Sequence, residues 1–371
     1  MDSHSPSSMR AQLIALAFML TASGSLALMS SAVSEEPAGR PSRLASAGRA
    51  GPVPQAAESA ATATAASQSK KVPSQPQVQE PVVVVPDISA YRGMGAWVDM
   101  YDFNRPNTLP PHVIVNEIAD RGVRTLFLQT GRWNLPQEIL DPAALSVFIE
   151  LSHARGMKVV GWYLPGFADN DFEMRRSMTA INFTTPTGQK FDGFAPDIED
   201  FRAVNKDMGR FASGIADYSR RLREAVGPSY ALGAIVVDAK NNKRAAAHWA
   251  SYPWPEIAQY YDVIVPMGYW SVTKKQCSEE FDVVAYMREL VAETRGRMGA
   301  EKPFHLIGGI ANCNTASEMK GFVDVSFELG AVGGSVYDFW TTRSNPGMET
   351  IWTELKRFNQ MVPLVTAKTK G

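Results

Sequence analysis

From Tyr91 onward, short apolar runs alternate with stretches whose apolar positions recur at helical spacing. The runs are 94–101, 123–129, 158–164, 191–199, 232–237, 263–269, 305–310 and 334–340, eight in all. Between them, 111–119, 143–154, 208–226, 283–294, 319–329 and 348–358 place apolar residues three and four apart, which predicts amphipathic helices. Asp141-Pro142 reads as an N-cap followed by Pro at the first helical position. Gly122, Gly156 and Gly227 stand where helices should stop. Strands alternating with helices predict a parallel sheet. Eight such units over about 270 residues match a (β/α)8 TIM barrel. The competing open, doubly wound sheet usually carries a Gly-rich phosphate loop after its first strand. Here that strand runs into Asp99-Met100-Tyr101-Asp102-Phe103-Asn104, which has no glycine.

The first 84 residues do not read as part of this domain. Arg10 precedes an apolar segment, Ala11 to Met29, and small residues follow at Ser30, Ser31 and Ala32. That pattern predicts a secretory signal peptide over 1–32, against the alternative of an uncleaved membrane anchor. Residues 33–84 are rich in Ala, Ser, Pro, Gln and Gly and show no apolar period, so a disordered linker is expected there. The barrel is then expected over 85–365, outside the cytoplasm and associated with the cell envelope through its N-terminal segment. Formal net charge is −1 and no Lys/Arg run forms a basic stripe, so nucleic acid is not an expected partner. The two cysteines, Cys277 and Cys313, follow the sixth and seventh strands in neighbouring loops. In an exported protein they are expected to form a disulfide. Two cysteines cannot make a structural zinc site, and the five histidines do not cluster, so no metal site and no cofactor is expected.

Active sites of such barrels sit at the C-terminal ends of the strands. The fourth strand ends in Asp197-Ile198-Glu199-Asp200. With a period of two, Ala195, Asp197 and Glu199 share one face. Two carboxylates that close resist ionising together, so one of them should hold its proton near neutral pH. Polar and aromatic residues mark the other strand ends: Asp99, Gln129, Arg132, Trp133, Trp162, Tyr163, Asp238, Tyr269, Trp270, Asn312, Asp338 and Trp340. Flat aromatic faces interleaved with carboxylates and amides suit stacking on sugar rings, although any single aromatic here can equally be barrel packing.

The fourth strand resembles that of glycoside hydrolase family 18, the chitinase family, which carries Asp-Gly-x-Asp-x-Asp-x-Glu. Here the residues are Asp192, Gly193, Phe194, Ala195, Pro196, Asp197, Ile198 and Glu199, with Ala195 where that family has an Asp. Met267-Gly268-Tyr269-Trp270 is similar to the family's Met-x-Tyr-Asp on the sixth strand, with Trp270 in place of the last Asp. Trp340 stands at the end of the eighth strand, where the family has a Trp that floors the sugar pocket. The first strand looks more like uncharacterised glycosidase-like barrels of bacteria. The resemblance implies substrate-assisted hydrolysis of a polysaccharide or oligosaccharide containing N-acetylhexosamine. Glu199 would protonate the leaving oxygen, and Asp197 and Tyr269 would steady the ion formed when the substrate's acyl carbonyl attacks. A plainer scheme would pair Glu199 with Asp197, Asp99, Asp238 or Asp338 as nucleophile or base. The other readings of the same residues are a non-catalytic, lectin-like barrel, a metal-assisted reaction at the Asp residues, and a structural ion pair with Arg132.

Overall fold

A computed structural model describes residues 85–104, 108–239 and 249–361. The signal-peptide and linker expectations lie outside the described residues. Eight strands, β1 (Gly93–Val98), β2 (Thr125–Arg132), β3 (Lys158–Leu164), β4 (Gly193–Ile198), β5 (Gly233–Val236), β6 (Val263–Gly268), β7 (His305–Ile310) and β8 (Gly333–Tyr337), pair in chain order. Every pairing is parallel, and β8 returns to β1 through Gly93↔Gly333 to close the barrel. One outer helix follows each strand: α1 (Pro111–Asp120), α2 (Pro142–Ala154), α3 (Asn170–Ile181), α4 (Met208–Val226), α5 (Trp254–Tyr260), α6 (Val283–Met298), α7 (Ala316–Glu328) and α8 (Met348–Lys356). The predicted (β/α)8 TIM barrel is therefore the fold.

Local chemistry starts and stops these helices as expected. Asp141 caps α2 by accepting from the Ala144 amide at 3.1 Å, with Pro142 at the first helical position. Asp207 caps α4 in the same way, and Thr315 with Glu318 forms a reciprocal capping box on α7. Gly122, Gly156 and Gly227 all have positive φ beyond their helices.

The N-terminal end of the barrel is plugged by Tyr91, from a short 3-10 turn (Ile88–Tyr91) ahead of β1. Its hydroxyl donates to the Phe194 carbonyl at 2.9 Å. A Cβ on Gly193 would lie 3.1 Å from that hydroxyl, and one on Gly233 would lie 2.6 Å from the ring. The glycines that begin β4 and β5 thus make room for the plug. Above it, His305 Nδ1 lies 2.9 Å from the Tyr91 carbonyl and Nε2 lies 3.0 Å from Ser335 Oγ. Burial pushes the imidazole down to about 4, so the ring is neutral and donates through Nδ1. Ser335 in turn accepts from Trp97 Nε1 at 2.8 Å. This polar chain and the stacked Trp97–Phe127 rings, 4.2 Å apart, fill the interior below the mouth.

Cys277 and Cys313 are joined in a disulfide, with Cα atoms 4.6 Å apart and a sequence separation of 36. It ties the rim loops after β6 and β7. In the chain-entropy model a loop of that size contributes about 4 kcal/mol by restricting the unfolded chain. Denaturant melts of the full chain with and without reductant should differ by about that amount. Equal midpoints would show the bond to be thermodynamically idle.

Candidate active site

Asp192, the first residue of the fourth-strand motif, serves the fold rather than the mouth. Its carboxylate accepts from His153 Nε2, Lys158 Nζ and the Val159 amide, each at 2.8 Å, and so anchors the entry to β4 against α2 and β3. Farther along the strand, Ala195, Asp197 and Glu199 alternate with Phe194, Pro196 and Ile198. The first set faces inward. Asp197 and Glu199 interact electrostatically with Arg132 at the end of β2 and with Tyr269 just beyond β6. Both of those strands stand two places away from β4 around the ring, so only an inward orientation reaches them.

Asp197 is buried, with 9% of its surface exposed, whereas Glu199 at the strand's end is half-buried and reaches the mouth. Burial is the main force on both acids. It holds Asp197 well above the usual carboxylate range, reinforced by the neighbouring charges of Glu199 and Asp200. It pushes Glu199 up to about 7, with Asp200 adding to the rise and Arg202 and Arg132 opposing it. The pair therefore does not carry two charges near neutral pH and titrates as a unit. Asp200 goes the other way. Burial would raise it, but hydrogen bonds from Arg202 and Trp133 outweigh that and keep it ionised. Tyr269 is a phenol raised by burial and by the acids Asp197, Glu199 and Asp338, so it stays protonated and able to donate.

Asp197 Oδ1 and Trp162 Nε1 are buried polar atoms of this interior with no hydrogen-bond partner among the described residues, as is Arg132 Nε at the end of β2. Orphaned buried groups are costly, and a ligand that supplies both a donor and an acceptor would satisfy them. Trp162 stands edge-on to Trp97, with ring centres 6.0 Å apart. Tyr269 and Tyr337 are 5.9 Å apart, which brings aromatic faces from β1, β3, β6 and β8 around the acids. Met267 is buried two residues before Tyr269, on the same face of β6.

Asp99 caps the one-turn helix Met100–Phe103, accepting from the Tyr101 amide at 2.7 Å and from the Tyr337 hydroxyl at 2.9 Å. Asp338 caps the helix Phe339–Arg343, accepting from the Thr341 amide at 2.8 Å. Carboxylate oxygens of Asp99, Asp102 and Asp338 lie within 4.8 Å of one another, which is the spacing at which a cation could be held. Each also accepts a backbone amide, Asp102 from Asp99 itself at 3.0 Å.

Of the other predicted residues, Tyr163 and Trp270 lie away from the acids. Tyr163 occupies the outer face of β3, and its hydroxyl donates to Glu173 of α3. Trp270 is fully buried, with its ring 5.4 Å from Phe322 of α7. Both placements correct the sequence expectation of a sugar contact. Trp162 faces inward, so Tyr163, the next residue on β3, faces out, and Trp270 lies past β6 in the 3-10 turn Trp270–Thr273, packed on α7. Asp238 accepts from the Tyr286 hydroxyl of α6 at 2.6 Å. Trp340 is half-buried on the helix after β8, with the Arg343 guanidinium 5.8 Å above its ring. Trp133 lies on the rim after β2 and donates to Asp200 at 2.9 Å. Trp97, just below the mouth, and Tyr337, Asp200 and Arg202 at it were not expected there. The first two could have been found by stepping back two residues from Asp99 and forward two from Ser335 along their strands.

No protein-family model matches the chain, and no curated protein matches it in sequence. Its fold is similar to that of the PgaB (BpsB) glycoside hydrolase domain from Bordetella bronchiseptica, at 13% identity and a TM-score of 0.50, over 71% of this chain and 99% of that one. It is also similar to the endo-1,4-beta-mannanase from Rhizomucor miehei, at 8% identity and a TM-score of 0.52, over 72% of this chain and 95% of that one. A third is the spore cortex-lytic enzyme SleL from Bacillus cereus, at 10% identity and a TM-score of 0.53, over 72% of this chain and 74% of that one. The resemblance to glycoside hydrolase barrels read from the fourth strand thus holds at the level of the fold.

Proposed function

We propose that this chain is an exported glycoside hydrolase that cleaves a polysaccharide or oligosaccharide containing N-acetylhexosamine, with Glu199 as the general acid. The observation that carries this reading is a half-buried acid at the barrel mouth that keeps its proton to about pH 7, one inward step above a second, buried acid. The similar barrels are named as a glycoside hydrolase domain, a mannanase and a cortex-lytic enzyme, which supports the reaction class.

In this reading Glu199 donates its proton to the glycosidic oxygen as the bond from that oxygen to the anomeric carbon breaks. The electron-poor carbon is trapped by the substrate's own acyl carbonyl oxygen, the exception to two-carboxylate hydrolysis. Asp197 and the protonated Tyr269 hold the acyl group. Water then adds to the anomeric carbon as the bond from that carbon to the acyl oxygen breaks, and the Glu199 carboxylate takes the water's proton. A carboxylate of Asp197, Asp99 or Asp338 acting as nucleophile or base is the plainer alternative.

Sugar binding without cleavage is the second reading. It is favoured by Ala195, whose buried methyl stands where the resembled family has a third carboxylate. The full chain incubated with a panel of β-linked N-acetylhexosamine polysaccharides, mannans and glucans, with reducing ends and binding measured together, separates the two. Release of reducing ends from an N-acetylated polymer is the expected result. Binding with no release across the panel would establish the lectin-like reading instead.

A further inference from the structure

Asp200 is buried at the mouth and spans two rim loops. From its place just after β4 it accepts from Trp133 Nε1, on the loop after β2, at 2.9 Å. The same carboxylate accepts from Arg202 Nε at 2.8 Å, from the Arg202 amide at 3.0 Å and from Arg202 Nη2. The Trp133 loop is also gripped from behind, where the buried Arg176 of α3 donates to the carbonyls of Arg132 and Leu135. Trp133 is thus fixed at both its backbone and its indole, and its neighbour Arg132 faces the acid pair. Charge-assisted bonds of this kind are the stronger ones, and a buried carboxylate with four donors is a rigid fixture.

We propose that Asp200 is a positioning residue that clasps the Trp133 loop to the end of β4 and keeps a fixed negative charge beside Glu199. The inference rests on Glu199 being the acid of the proposed reaction. The charged and titratable groups facing Glu199 are Asp197, Asp200 and Arg202 from its own strand end, Arg132 from β2, Tyr252 from the segment before α5 and Tyr269 from β6. Of these, Asp200 and Arg202 act with opposite sign on the same proton. That gives a signature a purely structural role would not produce.

The test uses the full chain labelled with carbon-13 in its glutamate carboxyl groups and with 5-fluorotryptophan. Glu199 is assigned from Glu199→Gln, and Trp133 from Trp133→Phe. In Asp200→Asn the Glu199 titration midpoint should move to lower pH, by about one unit for the loss of a neighbouring charge. The Trp133 fluorine resonance should shift as well. In Arg202→Gln the midpoint should move to higher pH. If substrate is turned over, the basic limb of the kcat/KM profile should follow the midpoint in each variant. Midpoints that stay put, or that move in the same direction in both variants, would overturn the proposal. If Asp200→Asn does not fold, the direction seen in Arg202→Gln decides. Absence of turnover in the wild type would count against the glycosidase reading, whereas the titrations test the charge of Asp200 and the fluorine resonance tests the clasp, both without turnover; an unmoved resonance in Asp200→Asn would overturn the clasp.

Discussion

Glu199→Gln lowers the rate of glycosidic cleavage by about 10²–10⁴-fold and leaves saccharide binding in place, the size expected for removal of a general acid. Gln preserves the shape and hydrogen-bonding reach of the side chain but has no proton to give. The leaving oxygen must then depart as an alkoxide. The pH profile gives the sign. Burial raises Glu199 to about 7, so its active, protonated form predominates below that value and is lost as pH rises through it. Wild-type kcat/KM should therefore fall on the basic side with a midpoint near 7, and the residual activity of the variant should lack that limb. Aryl glycosides with good leaving groups need less protonation and should be affected less. Equal losses on poor and good leaving groups, with weaker binding, would show that Glu199 holds substrate and does not protonate it.

How far the molecule was legible in its sequence can be judged element by element. The eight strands and the helices α1, α2, α4, α6, α7 and α8 stand in the pattern because their buried faces are apolar. α3 does not, because its buried face carries Glu173, Arg176 and Ser177, polar groups that bond to the rim loops and to Tyr218 of α4 and break the apolar period. α5 is only seven residues long, too short for a helical period to register. In the site, the acid pair was visible because period two in one strand settles which side chains share a face. Tyr163 falls on the outer face by that same period, and Trp270 lies past the end of β6, where the period no longer applies. Asp200 could not be read forward. Its neighbour in sequence is Glu199, the proposed general acid, but its own hydrogen bonding depends on Trp133, 67 residues away, which only the closed barrel brings to it.

Lys274→Met should be the most destabilising single change at the rim. Lys274 and Glu318 form an ion pair at 2.7 Å with both side chains shut from solvent. Lys274 Nζ also donates to the Cys313 carbonyl at 3.0 Å, and the far oxygen of Glu318 accepts from the Thr315 amide at 2.9 Å. One lysine thus holds the loop after β6, the disulfide and the first turn of α7 together. Loss of the lysine leaves the Glu318 carboxylate buried with a single amide donor. Breaking a buried pair from one side costs about 3–5 kcal/mol, because the remaining charge keeps its desolvation penalty. In a domain of this size that lowers the melting temperature by roughly 10 °C. The remedy separates charge from packing. Lys274→Met combined with Glu318→Gln removes the stranded charge and keeps an oxygen for the Thr315 amide, so most of the loss should be recovered. Thermal melts of the two single variants and the double at one pH measure this as a cycle. A double variant no more stable than Lys274→Met would place the cost in the lost ammonium bond to the Cys313 carbonyl, not in the unpaired carboxylate.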